Sequence, residues 1–210
     1  MKNLNTLLMG QTGSGKTTFA RIMLGLAPRA FVFDPVDDYE DGAVFYDFDS
    51  AADFFTRNAR EDFHLIYRGD RSTYVAWLDI LFRAQKAETL PPIAVIMEES
   101  SFYSTSHVIG EILDTIYTKG RRQRISVLTV VQRTTQINPI IRANSQLWIS
   151  MQQRNFPSDV KEVFNSDDIE TIRTLETFTP VSGPPIEGKH YVTDRPGFPV
   201  FEAWKSVLEK

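Results

Sequence analysis

"GQTGSGKT", Gly10 to Thr17, matches the pattern G-x-x-x-x-G-K-[ST] at every fixed position. It stands between an apolar run of strand character, Leu4 to Met9, and an amphipathic run, Lys16 to Leu26, that ends before Pro28. A strand, a glycine-rich turn and a helix opening on Lys-Thr make a phosphate cradle. Backbone N–H groups wrap the anion, and the helix N-terminus adds positive potential. Glycines at 10, 13 and 15 let the backbone turn tightly and approach phosphate oxygens closely. Lys16 is spaced to reach β- and γ-phosphates, and the Thr17 hydroxyl to ligate Mg²⁺. The nucleotide-binding set expected from this stretch is Gly10, Gln11, Thr12, Gly13, Ser14, Gly15, Lys16, Thr17 and Thr18, with ATP and Mg²⁺ as cofactors.

Outward from the loop, short apolar runs alternate with longer amphipathic ones. "AFVFD" (30–34), "AVFYDF" (43–48) and "HLIYR" (64–68) read as strands. Residues 73–87 place Tyr74, Trp77, Leu78, Leu81 and Phe82 at helical spacing. "IAVIM" (93–97), "ISVLTVV" (125–131) and "QLWISM" (146–151) have the continuous apolar character of strands buried on both faces. Residues 107–119 set Val108, Ile112 and Ile116 on one helical face, with Gly120 as the expected C-terminal cap. Asp167 to Leu175 opens like a capping box, and "DRPGFPVF" near the end suggests a hairpin. Such alternation predicts an α/β fold, a mostly parallel sheet covered by helices on both faces.

Composition agrees with one domain. The chain has 210 residues, 42% hydrophobic and 24% charged, with a net charge of −4. A coat of non-specific nucleic-acid binders is usually basic, so any DNA contact must come from a local patch. There is no cysteine, which excludes disulfides, thiolate zinc sites and cysteine nucleophiles. His64, His107 and His190 lack metal-ligand spacing. No apolar run approaches the length of a membrane span.

"IAVIMEES" puts Glu98 and Glu99 directly after a buried strand. Ligands of parallel sheets bind beyond the carboxyl ends of the strands, so the pair belongs near the phosphates. One carboxylate can serve the Mg²⁺ shell, and the other can orient and activate water. An acidic pair placed for a helix dipole is the alternative.

Together "GQTGSGKTT", "IAVIMEES" and "GRRQRISVLTVVQRTTQINPIIRANSQLWI" resemble the FtsK/HerA superfamily of P-loop ATPases. They are most similar to the genome-packaging ATPases of tailless icosahedral double-stranded DNA viruses. "FVFDP" followed by "DDYE" resembles the second-strand region of the same proteins. The resemblance covers most of residues 4–151 and not the last third. It implies a three-layer P-loop NTPase of RecA/FtsK type. Glu98 falls on the Mg²⁺-associated acid, which is usually Asp, and Glu99 on the catalytic glutamate. Gln132 falls on the polar sensor that ends a strand lying between the phosphate-loop and acidic strands. Arg121 is the first choice for an arginine finger acting in a neighbouring subunit, with Arg122 and Arg124 as rivals. Read from the residues alone, those arginines are equally a solvated basic edge.

The function implied is ATP hydrolysis coupled to movement. No Asn-Lys-x-Asp guanine motif occurs, and Glu99 as a water-activating base suits hydrolysis rather than a kinase. The expected motor domain is residues 1–182, with no domain before the loop at residue 10, and residues 183–210 form a Pro/Gly-rich extension. Expected partners are double-stranded DNA held by its backbone, copies of the chain in a ring, and capsid or vertex proteins. The expected location is the host cytoplasm or a capsid vertex. Arg68, Arg71 and Lys119 are candidate DNA contacts. The alternatives are a HerA-like translocase or helicase in repair or plasmid transfer, and a slow nucleotide-binding assembly switch.

Overall fold

The computed structural model describes residues 4–86, 89–151 and 191–194, the last four as backbone. The strands are β1 (Thr6–Met9), β2 (Arg29–Phe33), β3 (Ala43–Phe45), β4 (Phe63–Tyr67), β5 (Ile93–Met97), β6 (Ile125–Val131), β7 (Leu147–Ser150) and β8 (Tyr191–Asp194). The helices among the described residues are α1 (Lys16–Gly25), α2 (Phe48–Asn58), α3 (Tyr74–Lys86), α4 (Glu111–Lys119) and α5 (Pro139–Asn144). One sheet runs in the order β3-β4-β2-β5-β6-β1-β7-β8. All pairs from β3 to β7 are parallel, and β8 lies antiparallel to β7.

The sheet separates two apolar layers because side chains alternate across it. On one face Phe31, Phe33, Val95, Met97, Val127 and Val131 pack with Trp77 of α3, Leu113 of α4 and Ile141 of α5. Trp77 is fully buried, with its ring 4.7 Å from Phe31 and 5.1 Å from Phe48. On the other face Ala30, Val32, Ala94, Ile96, Leu128 and Val130 receive Phe19, Ala20 and Met23 of α1. The small side chains Ala30 and Ala94 leave room for that helix. β5 and β6 are buried at every position, and only Ser126 and Thr129, both hydrogen-bonded, interrupt their apolar runs.

Two local expectations are corrected. "AVFYDF" stops being a strand at Phe45, because Asp47 accepts a hydrogen bond from Ser50 N–H at 2.8 Å and starts α2. The helix read over 107–119 begins only at Glu111. Before it, Thr105 Oγ1 accepts from Val108 N–H at 3.0 Å and closes a turn, leaving Val108 exposed. Gly120 is the C-terminal cap of α4, as expected, its N–H donating to Ile116 O; it keeps right-handed dihedrals, and Arg124 is left-handed, φ 58°. A short 3₁₀ turn, Gly120–Gln123, fills the interval. The capping-box and hairpin segments lie outside the described residues, apart from Asp194 at the start of the latter.

At the amino end of β2, Arg29 is buried and ties loops together. It donates through Nη1 to Pro91 O and through Nη2 to Ala59 O at 2.5 Å. Burial pulls its pKa down to about 10. Pro91 O also accepts from Gln85 Nε2 at 2.9 Å, so Arg29 and Gln85 share that carbonyl.

Candidate nucleotide site

β1 delivers the chain into the phosphate loop at the carboxyl edge of the sheet. Gly10 N–H donates to Val131 O at 3.3 Å, which seats the loop beside the end of β6. A Cβ at Gly10 would lie 2.4 Å from Ser14 Oγ and 2.7 Å from Met151 Cβ. Gly13 and Gly15 take φ of 75° and 94°, which side chains strain. Gly15 then caps α1 with no side-chain hydrogen bond, and the first turn holds no acid. The helix therefore presents uncompensated N–H groups to whatever the loop encloses. Lys16 lies folded into the loop, with Nζ donating to Gln11 O at 3.2 Å. Burial lowers its pKa, against the pull of Glu98, Glu99 and Asp38.

The strand order puts the acidic pair beside this loop. β6 lies between β1 and β5, so Glu98, Glu99 and Gln132 emerge next to the glycines. Gln132 Nε2 donates to Glu99 Oε2 at 3.1 Å, and Thr12 Oγ1 donates to Gln132 Oε1 at 3.4 Å. Ser101 Oγ donates to Glu99 Oε1 at 2.8 Å. Glu99 itself has φ 47°, ψ 59°. A non-glycine residue in that region costs energy and persists only where its surroundings hold it. Here a continuous polar line joins the loop, Gln132 and Glu99.

Thr17 stands at the second focus. Its hydroxyl is 3.4 Å from Glu98 Oε1 and 3.3 Å from Asp38 Oδ2. Glu98 is only 4% exposed, and burial pushes its pKa to about 7 despite hydrogen bonds from Tyr39 and Thr17 and the charge of Lys16. A hydroxyl between two carboxylates is a hard-oxygen donor set and fits Mg²⁺, which binds through one or two carboxylates plus phosphate oxygens. Among the described residues no group of three or more His, Cys, Asp or Glu side chains could hold a metal ion. The nucleotide would complete the shell.

Asp38 and Tyr39 carry no motif of their own. Their loop is set by Asp34, fully buried at the end of β2, which accepts from Asp38 N–H at 3.0 Å and Tyr39 N–H at 3.1 Å. Arg68 Nε donates to Asp34 Oδ2 at 2.8 Å, and its Nη2 donates to Tyr39 O. Arg68 is thus committed to positioning this loop, which removes it from the candidate DNA contacts. Arg71 lies over the Phe102 ring, 4.6 Å from its centroid. The acidic string "VDDYE" was the only signal for Asp38.

Arg121, Arg122 and Arg124 are not brought to this site. They precede β6 and stand at the amino edge of the sheet, opposite Gln132. Arg124 Nη1 donates to Leu90 O at 3.3 Å.

Several solved structures share this fold. The genome packaging NTPase B204 of Sulfolobus turreted icosahedral virus 2, in complex with sulfate, superposes with a TM-score of 0.67 over 92% of each chain at 14% identity. The same protein with ATP-γS gives 0.65 over 85% of this chain and 90% of that one, also at 14% identity. EssC (ATPases 2 and 3) from Geobacillus thermodenitrificans gives 0.51 over 98% of this chain and 43% of that one, at 16% identity. The fold is that of a P-loop NTPase. At these identities the likeness is one of fold. No protein-family model and no curated protein matches the sequence.

Proposed function

We propose that the protein is an ATP-hydrolysing motor that moves double-stranded DNA, packaging a viral genome into a preformed capsid as part of a homo-oligomeric ring. The observation that carries the hydrolytic reading is the Thr12–Gln132–Glu99 line, which connects the phosphate loop to a carboxylate that can take a proton from water.

In this reading the loop N–H groups and Lys16 hold the β- and γ-phosphates. Mg²⁺, held by Thr17 with Glu98 and Asp38, would offset the charge on the phosphate oxygens. Glu99 accepts the proton as the water oxygen bonds to the γ-phosphorus and the bond to the bridging oxygen breaks. Gln132 holds Glu99 Oε2 and senses the γ-phosphate. The DNA and capsid roles rest on the solved genome packaging neighbours, complexes with ATP-γS and AMPPCP among them. The ring is favoured by exposed apolar side chains at the carboxyl edge of the sheet. Val36, Tyr46, Val75, Phe102 and Val108 all lie on segments at the carboxyl edge. Patches of that kind mark association surfaces. Among the described residues no helix is long and apolar enough to cross a membrane.

The test is steady-state ATP hydrolysis with Mg²⁺, with and without long double-stranded DNA, wild type beside Glu99→Gln. Stimulation by DNA that disappears in the variant supports the motor. Hydrolysis indifferent to DNA, with empty capsids present, points to the assembly switch.

A further inference from the structure

The amino edge of the sheet holds a second basic feature, distinct from the phosphate loop. α3 and α4 both run back from the nucleotide edge and end there, at Lys86 and Lys119. Between their ends and the Gly120–Gln123 turn lies an open cavity of about 530 Å³. Phe82 and the Thr115 and Thr118 side chains form its walls, and Lys86, Lys119 and Arg122 ring it with Gln123. Among the described residues no acidic side chain lines it.

Cations at helix C-termini are ordinarily explained by the helix dipole. Here there are three for two helix ends. Among the described residues, none of the three forms an ion pair or donates to a terminal carbonyl. By contrast Arg21, Arg57, Arg68 and Arg83 are each paired with an aspartate. The cavity wall lacks what a free nucleotide's phosphate needs. It is made from helix carboxyl ends, which point carbonyls outward, and not from a nest of N–H groups. Its positive charge sits only on long, exposed side chains. Such side chains suit a row of singly charged phosphodiesters, which they neutralise without leaving water.

We infer that the Lys86–Lys119–Arg122 cavity is a seat for the phosphate backbone of double-stranded DNA. This rests on the DNA-motor reading and deepens it. It assigns Arg122 to DNA rather than to a neighbour's nucleotide, and it keeps Lys119 of the three candidate contacts. β6 begins two residues after Gln123 on the cavity wall and ends just before Gln132. Seven residues of strand separate the two ends by roughly 20 Å. DNA and nucleotide can therefore be held at once, at opposite ends of one buried strand.

The test measures binding of a fluorescein-labelled 30-base-pair duplex by anisotropy, across a salt series, with saturating AMPPCP. The proteins are wild type, Lys86→Gln/Lys119→Gln/Arg122→Gln, and the charge-retaining Lys86→Arg/Lys119→Arg. The triple variant is expected to bind at least tenfold more weakly at low salt. Its slope of log K against log salt should shallow by about 0.9 for each lost contact. The charge-retaining variant should match wild type, and all should bind fluorescent nucleotide alike. Thr115→Glu, one substitution on the wall, should weaken DNA binding in the same direction and serves if the triple variant does not fold. Equal DNA affinity and slope in the triple variant or in Thr115→Glu overturns the seat and leaves the motor reading intact. A wild type that binds no duplex overturns both.

Discussion

Tyr39 donates its phenolic hydrogen to Glu98 Oε2 at 2.7 Å, and both side chains are buried. The phenol takes one oxygen of the carboxylate, leaving Oε1 toward Thr17. Burial and the Glu98 charge hold the Tyr39 pKa well above its usual value, so it remains the donor. Tyr39 thus acts as a positioning residue for Glu98. Tyr39→Phe should weaken the Mg²⁺ dependence of nucleotide binding by about 10-fold or more, the usual size of effects from groups that orient metal ligands. A Mg²⁺ titration of fluorescent-nucleotide binding reads this, and an unchanged midpoint would remove Tyr39 from the site.

Glu98 makes the stability of the nucleotide-free protein depend on pH. Its folded pKa, about 7, lies above the ordinary 4.5. The folded state therefore binds the proton more tightly. The stabilisation is complete below pH ~4.5 and is lost as pH rises through ~7. Glu98→Gln, uncharged at every pH, lacks this term. In chelator, thermal melts from pH 5 to 8 should show the wild type losing more stability than Glu98→Gln. Parallel curves would place the titrating group elsewhere.

Gln132 touches both the loop and the base, so its loss should differ from loss of either. Gln132→Ala should leave nucleotide affinity near wild type, because Lys16 and the loop N–H groups remain. Turnover should fall by roughly 10²-fold, the scale of a lost stabilising or orienting donor. Single-turnover kinetics beside equilibrium binding separate the two. A loss confined to affinity would contradict the sensor role.

Gly10 is the loop position with least space. Gly10→Ala drives a methyl group into Ser14 and Met151. Overpacking of this size costs about 1–3 kcal/mol. Denaturant midpoints should fall accordingly, and ATP affinity should fall with them because the loop must shift. An unchanged midpoint would show that the loop gives way freely.

Arg121 stands across the sheet from its own nucleotide site, so any catalytic role must be exerted on another subunit. An arginine supplied that way can be worth 10³ to 10⁵ in rate. Arg121→Ala doped as a small fraction into wild-type assemblies should depress hydrolysis more than in proportion. A strictly proportional loss would leave Arg121 as a solvated edge residue.

Much of the site is contiguous chain and was legible as such. The phosphate loop needs glycines, Lys16 and Thr17 within eight positions, and β5 and β6 advertise themselves because strands buried on both faces are apolar at most positions. The boundaries that went astray, at Phe48 and at Val108, were decided by single side-chain-to-backbone bonds from Asp47 and Thr105 that outweighed the local apolar pattern. What residue order alone could not decide was adjacency. Lys16, Glu99 and Gln132 meet because β6 inserts between β1 and β5, an order that the family resemblance implied and that local sequence does not encode. Asp38 and Tyr39 join them because β2 pairs with β5 and because Asp34, clamped by Arg68, turns the next five residues back over Glu98. Residue order was enough to place a phosphate loop, since that motif is short-range geometry. Which carboxylate is buried against a phenol, and which arginine is already spent on an aspartate, came from the folded chain. Those outcomes depend on desolvation and on contacts between residues 30 to 60 positions apart, and the sheet alone brings them together.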